Sequence, residues 1–294
     1  MREIPEHLYP FESHWLELDG LRLHYLDEGE GEPVVAVHGN PTWSFYYRNL
    51  VQELREGYRV IVPDHIGCGF SDKPGDETYD YTLGRRIDDF GRLMEDRDLD
   101  GINLVVHDWG GMIALAWAVH HPDRIRRLVI LNTAAFGLPK GQSFPWQLWL
   151  VRETALGPFM VRGLNAFARG ATHVACTRTR VSKELRDAYC APYDSWADRI
   201  AILRFVQDIP LHPGDRGYDI VSDTAERLEI FRNHPVLVCW GEKDSVFDHH
   251  FLAEGERLYP QAEIHRFADC GHYILEDAAE EVLPLIQQFL VKTS

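Results

Sequence analysis

The segment Leu104-Val105-Val106-His107-Asp108-Trp109-Gly110-Gly111-Met112 joins an apolar run to a helix-forming stretch through one acidic residue. At such a strand-to-helix junction, small residues after the turn let the chain reverse sharply and hold a single side chain above the sheet. That side chain is Asp108, where a serine hydrolase carries its nucleophilic serine. A carboxylate so placed attacks an electrophilic carbon and leaves an alkyl-enzyme ester that water can cleave. The bland alternative is an aspartate that caps the following helix. Two further segments weigh against it. Ala268-Asp269-Cys270-Gly271-His272-Tyr273 sets a histidine in a turn after the last strand, and Gly241-Glu242-Lys243-Asp244 sets a carboxylate at the end of another. His272, oriented by Asp244, would then take a proton from the water that attacks the ester. Asp248 is the rival for the orienting role; Asp244 is preferred because it directly follows the Gly-containing strand exit.

A third segment, His38-Gly39-Asn40-Pro41-Thr42-Trp43, follows an earlier apolar run. A tight turn there aims backbone N–H groups at the carbonyl oxygen of an ester, so the N–H groups of Asn40 and Trp109 are the expected oxyanion hole. Their side chains add an amide NH2 and an indole N–H, neutral donors suited to a departing anion. The ordinary readings are a turn-forming Asn and a helix-packing Trp.

These residues need a scaffold that brings strand ends together. Val34–Val37, Val60–Val62, Leu104–Val106, Leu128–Leu131 and Val236–Cys239 are near-continuous apolar runs separated by helical stretches. That pattern marks a parallel sheet covered on both faces, with its ligand crevice at the carboxyl ends of the strands. Trp15–Leu18 and Leu21–Asp27 alternate around Asp19-Gly20 and predict an antiparallel hairpin at the sheet edge. A last strand is expected at Glu263–Phe267 and a final helix from about Glu276 to Val291.

The rhythm breaks between about Phe136 and Ser222, a stretch rich in aromatic and helix-forming residues and too long for a plain loop. The expected organisation is a core of residues 1–135 and 223–294 carrying a helical cap, or lid, at 136–222. From Gly137 to Ser222 there are 11 Lys and Arg against 8 Asp and Glu, a balance of +3. The whole chain of 294 residues stands at −16, so the remainder carries −19. A charge of that sign argues against a general nucleic-acid binder. No uncharged apolar stretch reaches the roughly 18 residues of a membrane span, and Met1–Glu6 holds no apolar run for a signal peptide, so a cytoplasmic location is the expectation. Five scattered cysteines without CxxC spacing read as reduced thiols, and the 15 histidines form no HExxH pair, so no metal is expected.

His38-Gly39-Asn40-Pro41, Asp64-His65-Ile66-Gly67-Cys68-Gly69-Phe70-Ser71-Asp72-Lys73-Pro74 and His107-Asp108-Trp109-Gly110-Gly111 together resemble the haloalkane dehalogenases of the α/β-hydrolase superfamily. The resemblance runs from about Trp15 to the C-terminal helix. It implies the α/β-hydrolase fold: a mostly parallel eight-stranded sheet flanked by helices, with the cap inserted after the sixth strand. It also implies Asp108 as nucleophile, His272 as base, Asn40 with Trp109 as the halide-binding pair, and neither metal nor organic cofactor. One branch places the acid after the sixth strand, but this chain has Asn132 there, which leaves Asp244. Another branch has a second halide-binding Trp in the insertion; Trp146, Trp149 and Trp196 are present without an assigned role.

Leu131–Phe136, Ala191–Trp196 and Arg204–Pro210 are similar to the third dehalogenase subfamily, a branch that includes β-lactone decarboxylases of bacterial olefin synthesis. The first expectation is therefore hydrolysis of a small apolar alkyl halide to an alcohol. The alternative is conversion of a long-chain β-lactone to an alkene and carbon dioxide by the same triad, in which case the basic cap could also steer a partner enzyme. An epoxide hydrolase would need lid tyrosines, for which Tyr189 and Tyr193 qualify by type, but Asn40 in place of a bulky aromatic speaks against it. The intact triad argues against a binding protein that merely keeps the fold.

Overall fold

The computed structural model describes residues 4–292; Met1–Glu3, part of the stretch read for a leader, lies outside the described residues. Eight strands form one sheet: β1 (His14–Leu18), β2 (Leu21–Glu28), β3 (Glu32–Val37), β4 (Tyr58–Pro63), β5 (Ile102–Asp108), β6 (Ile125–Thr133), β7 (Val236–Gly241) and β8 (Glu263–Phe267). Their spatial order is β1-β2-β4-β3-β5-β6-β7-β8. The β1–β2 hairpin is antiparallel, as expected of its alternating pattern, and β2 also runs antiparallel to β4. From β4 to β8 every pairing is parallel.

The apolar runs fall on the central strands because each must bury both faces. Val35 and Val37 of β3 join Leu104, Val106, Leu128 and Ile130 under helices α2 (Leu83–Asp96) and α3 (Trp109–Ala118). Their neighbours Val34 and Ala36 face the other way, into a second cluster with Leu50 and Val51 of α1 (Arg48–Leu54) and Ile286 and Phe289 of the C-terminal helix. A period-2 strand thus feeds two cores at once.

The final helix departs from expectation by breaking at Ala278 into Ile274–Asp277 and Ala279–Val291. Asp277 explains the break. Its carboxylate accepts the backbone N–H groups of Thr177, Arg178, Thr179 and Gly271, which pins this turn against the insertion and the loop before His272.

Between β6 and β7 the described elements are all helical, including Trp146–Glu153, Ala166–Val174, Lys183–Cys190 and Ile200–Gln207. The boundary expected at residue 222 falls inside the helix Tyr218–Arg227, which packs against α3. None of the five cysteines forms a disulfide. Among the described residues no helix is long and apolar enough to cross a membrane.

Candidate active site

Asp108 ends β5 with φ 51° and ψ −129°, a left-handed backbone that a non-glycine residue adopts only under constraint. The surroundings supply that constraint. A Cβ on Gly39 would lie 1.9 Å from Asp108 Oδ1, and one on Gly110 would lie 1.9 Å from the Val37 carbonyl, so only glycine lets β3 and the elbow approach so closely. Thr133 Oγ1 donates to the Asp108 carbonyl. Asp108 occupies the position of a helix cap but makes no side-chain capping bond. Its Oδ1 accepts the backbone N–H of Asn40 at 2.6 Å instead.

His272 Nε2 stands 3.5 Å from the other carboxylate oxygen, Asp108 Oδ2, and its Nδ1 donates to Asp244 Oδ2 at 2.7 Å. Three separate strand ends therefore bring Asp108, His272 and Asp244 into one chain of contacts. Burial opposes a charge on His272, but Asp244 and Asp108 outweigh it and hold its pKa up at about 10. Burial likewise opposes ionisation of Asp108, and contact with His272 more than offsets it, keeping the carboxyl below its usual range.

Asp248 is elsewhere: it caps the helix His249–Leu258 by accepting the His250 N–H at 2.9 Å. Asp248, His249 and His250 also place ligand-type atoms within 4.8 Å of one another, yet none of the three lines the central cavity.

Asn132 is the residue the motifs conceal. Fully buried at φ 37°, it donates from Nδ2 to both the Gly241 carbonyl and Asp244 Oδ2 at 3.0 Å, and its Oδ1 accepts the Gly241 N–H at 2.8 Å. With the Val246 and Phe247 N–H groups on Oδ1, Asp244 is held from both sides. The available signal was a polar residue directly after the apolar run Leu128–Leu131.

His107 donates from Nε2 to the His272 carbonyl at 2.9 Å, and burial pushes its pKa down to about 3, so this neighbour is a neutral brace. Behind Asn40, His38 bonds the Gly39 carbonyl through Nδ1 and accepts the His65 N–H on Nε2, which fixes the turn that presents the Asn40 N–H. Glu276, past His272, receives Arg48 through both carboxylate oxygens and Tyr189 OH at 2.5 Å, tying the insertion to the histidine's loop.

Asp108, Asn40, Trp109 and His272 sit at the floor of a cavity of about 500 Å³ roofed by residues such as Leu148, Val151, Phe167 and Val206. The Asn40 side chain is partly committed, since its Nδ2 donates to the Ile202 carbonyl at 3.2 Å while its buried Oδ1 has no partner. Trp109 occupies the first position of α3, where a backbone N–H has no acceptor within the helix. Of the three insertion tryptophans only Trp146 reaches the cavity, at its rim. Tyr189 and Tyr193 do not line it; Tyr193 OH donates to the Thr42 carbonyl. Cys68 is buried away from it, and burial pushes its thiol up to about 12.

Residues 32–279 match the family model described as the alpha/beta hydrolase fold. The chain belongs to the α/β-hydrolase fold family. Within that family it is 56% identical over 287 residues to a cis-3-alkyl-4-alkyloxetan-2-one decarboxylase of Shewanella oneidensis, covering 97% of this chain and 90% of the relative. A relative of the same name from Xanthomonas campestris is 47% identical, with 92% and 93% covered. More distant is a haloalkane dehalogenase of Psychrobacter cryohalolentis, 31% identical, with 96% and 93% covered. Among solved structures, a haloalkane dehalogenase of Agrobacterium tumefaciens superposes with a TM-score of 0.85 at 23% identity over 95% of this chain and 96% of that one, a likeness of fold.

Proposed function

We propose that this α/β-hydrolase-fold protein is a decarboxylase of cis-3,4-dialkyl β-lactones, releasing an alkene and carbon dioxide. The observation that carries the reading is the 56% identity to the Shewanella decarboxylase along 97% of the chain. It reverses the order reached from motifs alone, because the dehalogenase relative of Psychrobacter cryohalolentis stands at 31%.

Asp108 is the nucleophile, through Oδ2, the oxygen that the Asn40 N–H leaves open. It attacks the alkyl-bearing ring carbon bonded to the lactone's ring oxygen, not the carbonyl carbon. A carboxylate-to-carbon bond forms as the strained ring bond breaks, leaving an alkyl-enzyme ester beside a free carboxylate. The bond to that carboxylate then breaks and carbon dioxide departs. Its electron pair forms the carbon–carbon double bond as the ester's alkyl–oxygen bond breaks, and Asp108 returns as the carboxylate. Atoms and electrons balance without water or a redox partner. The apolar cavity assists, since a poorly solvated carboxylate gains by losing its charge. Trp109 Nε1–H and the His272 imidazolium, held by Asp244, stabilise the carboxylate that the ring opening releases. Residues 136–222 serve as the cap that excludes water.

Hydrolysis of alkyl halides is the second reading, favoured by the presence of Asn40 and Trp109 at the cavity floor. The tie from Asn40 Nδ2 to Ile202 weakens its halide-donor half. Turnover of long-chain cis-β-lactones in heavy-oxygen water separates the two. The expected outcome is alkene and carbon dioxide in equal amounts, with no label in Asp108 by peptide mass spectrometry. A β-hydroxy acid with labelled Asp108 overturns the proposal, and bromide release with labelled Asp108 from a bromoalkane puts the second reading first.

A further inference from the structure

Large apolar side chains that reach solvent are concentrated in the insertion. Of the 11 in the described residues, Leu138, Trp146, Trp149, Leu156, Phe159, Leu164, Val174 and Trp196 all belong to it. Trp146 and Val174 are 70% and 72% exposed, and together with Leu138 they also line the cavity, so its mouth carries large apolar side chains beside the exposed Gln147, Lys243 and Ser245. Trp149 lies one turn from Trp146 on the same helix face. An exposed apolar patch around a mouth marks an interaction surface.

Charge narrows the partner. The insertion carries +3 while the rest of the chain carries −19. An anionic surface is repelled by the core and admitted by the insertion, where Lys140, Arg169 and Arg180 are exposed. Exposed tryptophan and basic residues on one insertion, with Arg162 stacked over Trp196 at 4.8 Å, form the side-chain set that settles at a bilayer's headgroup level.

We propose that the insertion docks this protein, mouth first, on an anionic lipid bilayer. Docked in this way, the cavity is continuous with a phase in which alkyl chains dissolve, and an apolar substrate enters without crossing water. A protein on the same face would close the mouth. The nature of the cargo rests on the β-lactone reading; the docking does not.

Flotation with phosphatidylcholine vesicles, with and without phosphatidylglycerol, tests this on the whole chain. The protein should float with the anionic vesicles, about tenfold less with the neutral ones, and be released by salt. Trp149→Ala with Phe159→Ala, at two exposed sites outside the cavity lining, should lower the bound fraction about tenfold. The melting temperature and turnover of a short-chain, water-soluble β-lactone should be unchanged. Failure to float, or equal flotation of the double variant, overturns the proposal. So does concentration-dependent assembly that the double variant abolishes without any flotation, which would make the face a protein interface. Flotation needs no turnover, so failure of the lactone reading leaves it standing, and the reverse holds too.

Discussion

At the floor of the cavity each working atom is held by another: Asp108 by the Asn40 N–H, His272 by Asp244 and His107, and Asp244 by Asn132 and two backbone N–H groups. The roof meets the same cavity with carbon, through Leu148, Val151, Phe167 and Val206. Directional bonds on rigid strand ends keep reacting groups in one geometry. An apolar roof has no such demand, so its side chains can vary in size without disturbing the chemistry beneath. On the proposed function, then, the floor sets the reaction, and the roof sets which chains fit and how dry the reaction is.

The sharpest way to break this division is Asn132→Ala. It removes no group that touches a substrate, yet it deprives Asp244 of one donor and leaves the Gly241 N–H and carbonyl without their side-chain partner. Turnover should fall about 100-fold, as a small misplacement of the triad costs, with KM little changed. The melting temperature should drop by about 5 °C for roughly 2 kcal/mol of buried, unpaired polar groups. If KM moves and kcat does not, Asn132 belongs to the binding side and the division fails.

The same contrast explains what was legible in the sequence. The floor depends on a few residues in obligatory contexts, so the elbow around Asp108, the turn holding His272 and the strand exit at Asp244 were all readable, as were the strands that carry them. Asn132 was visible only as a residue unable to replace an acid, because its partners lie 109 and 112 positions away and no local pattern announces them. The roof left even less. Its helices follow from composition, but which tryptophan reaches the cavity is a tertiary outcome that spacing does not encode. The choice between alkyl halide and lactone was not legible either: the motifs of the floor are common to both, and it is identity along the whole chain that favours the lactone.

Phe167→Ala sharpens the comparison from the other side. Phe167 is partly buried and touches the cavity from the helix Ala166–Val174. Truncating it should raise KM for long-chain substrates about tenfold, because the alkyl chain then buries less apolar surface against the roof, with kcat within about twofold. A product assay over a series of alkyl lengths checks this, and an equal loss of kcat at every length would place Phe167 in the chemistry of the floor.

The smallest effect concerns charge at the floor itself. His272 has its pKa raised to about 10 from an ordinary 6.5, so the folded state holds this proton more tightly than the unfolded state. That stabilisation is complete below about pH 6.5 and is lost as pH rises through about 10. Asp108→Asn removes one of the two carboxylates responsible, so the loss should finish at lower pH in the variant. Melting temperatures of both proteins from pH 7 to 10.5 should therefore show the parent's advantage shrinking by a few degrees across the alkaline range, because other titrating groups are shared and cancel. A constant difference would mean that Asp108 does not hold the imidazolium. In the proposed mechanism, esterification of Asp108 would imitate the substitution: with its charge lost to the substrate, only Asp244 would support the His272 proton, and the imidazole would move toward the neutral base that hydrolysis needs. In the proposed lactone-derived ester the new substrate carboxylate would replace the lost charge and keep His272 protonated, so the same floor that would activate water for an alkyl halide would withhold that base from a lactone.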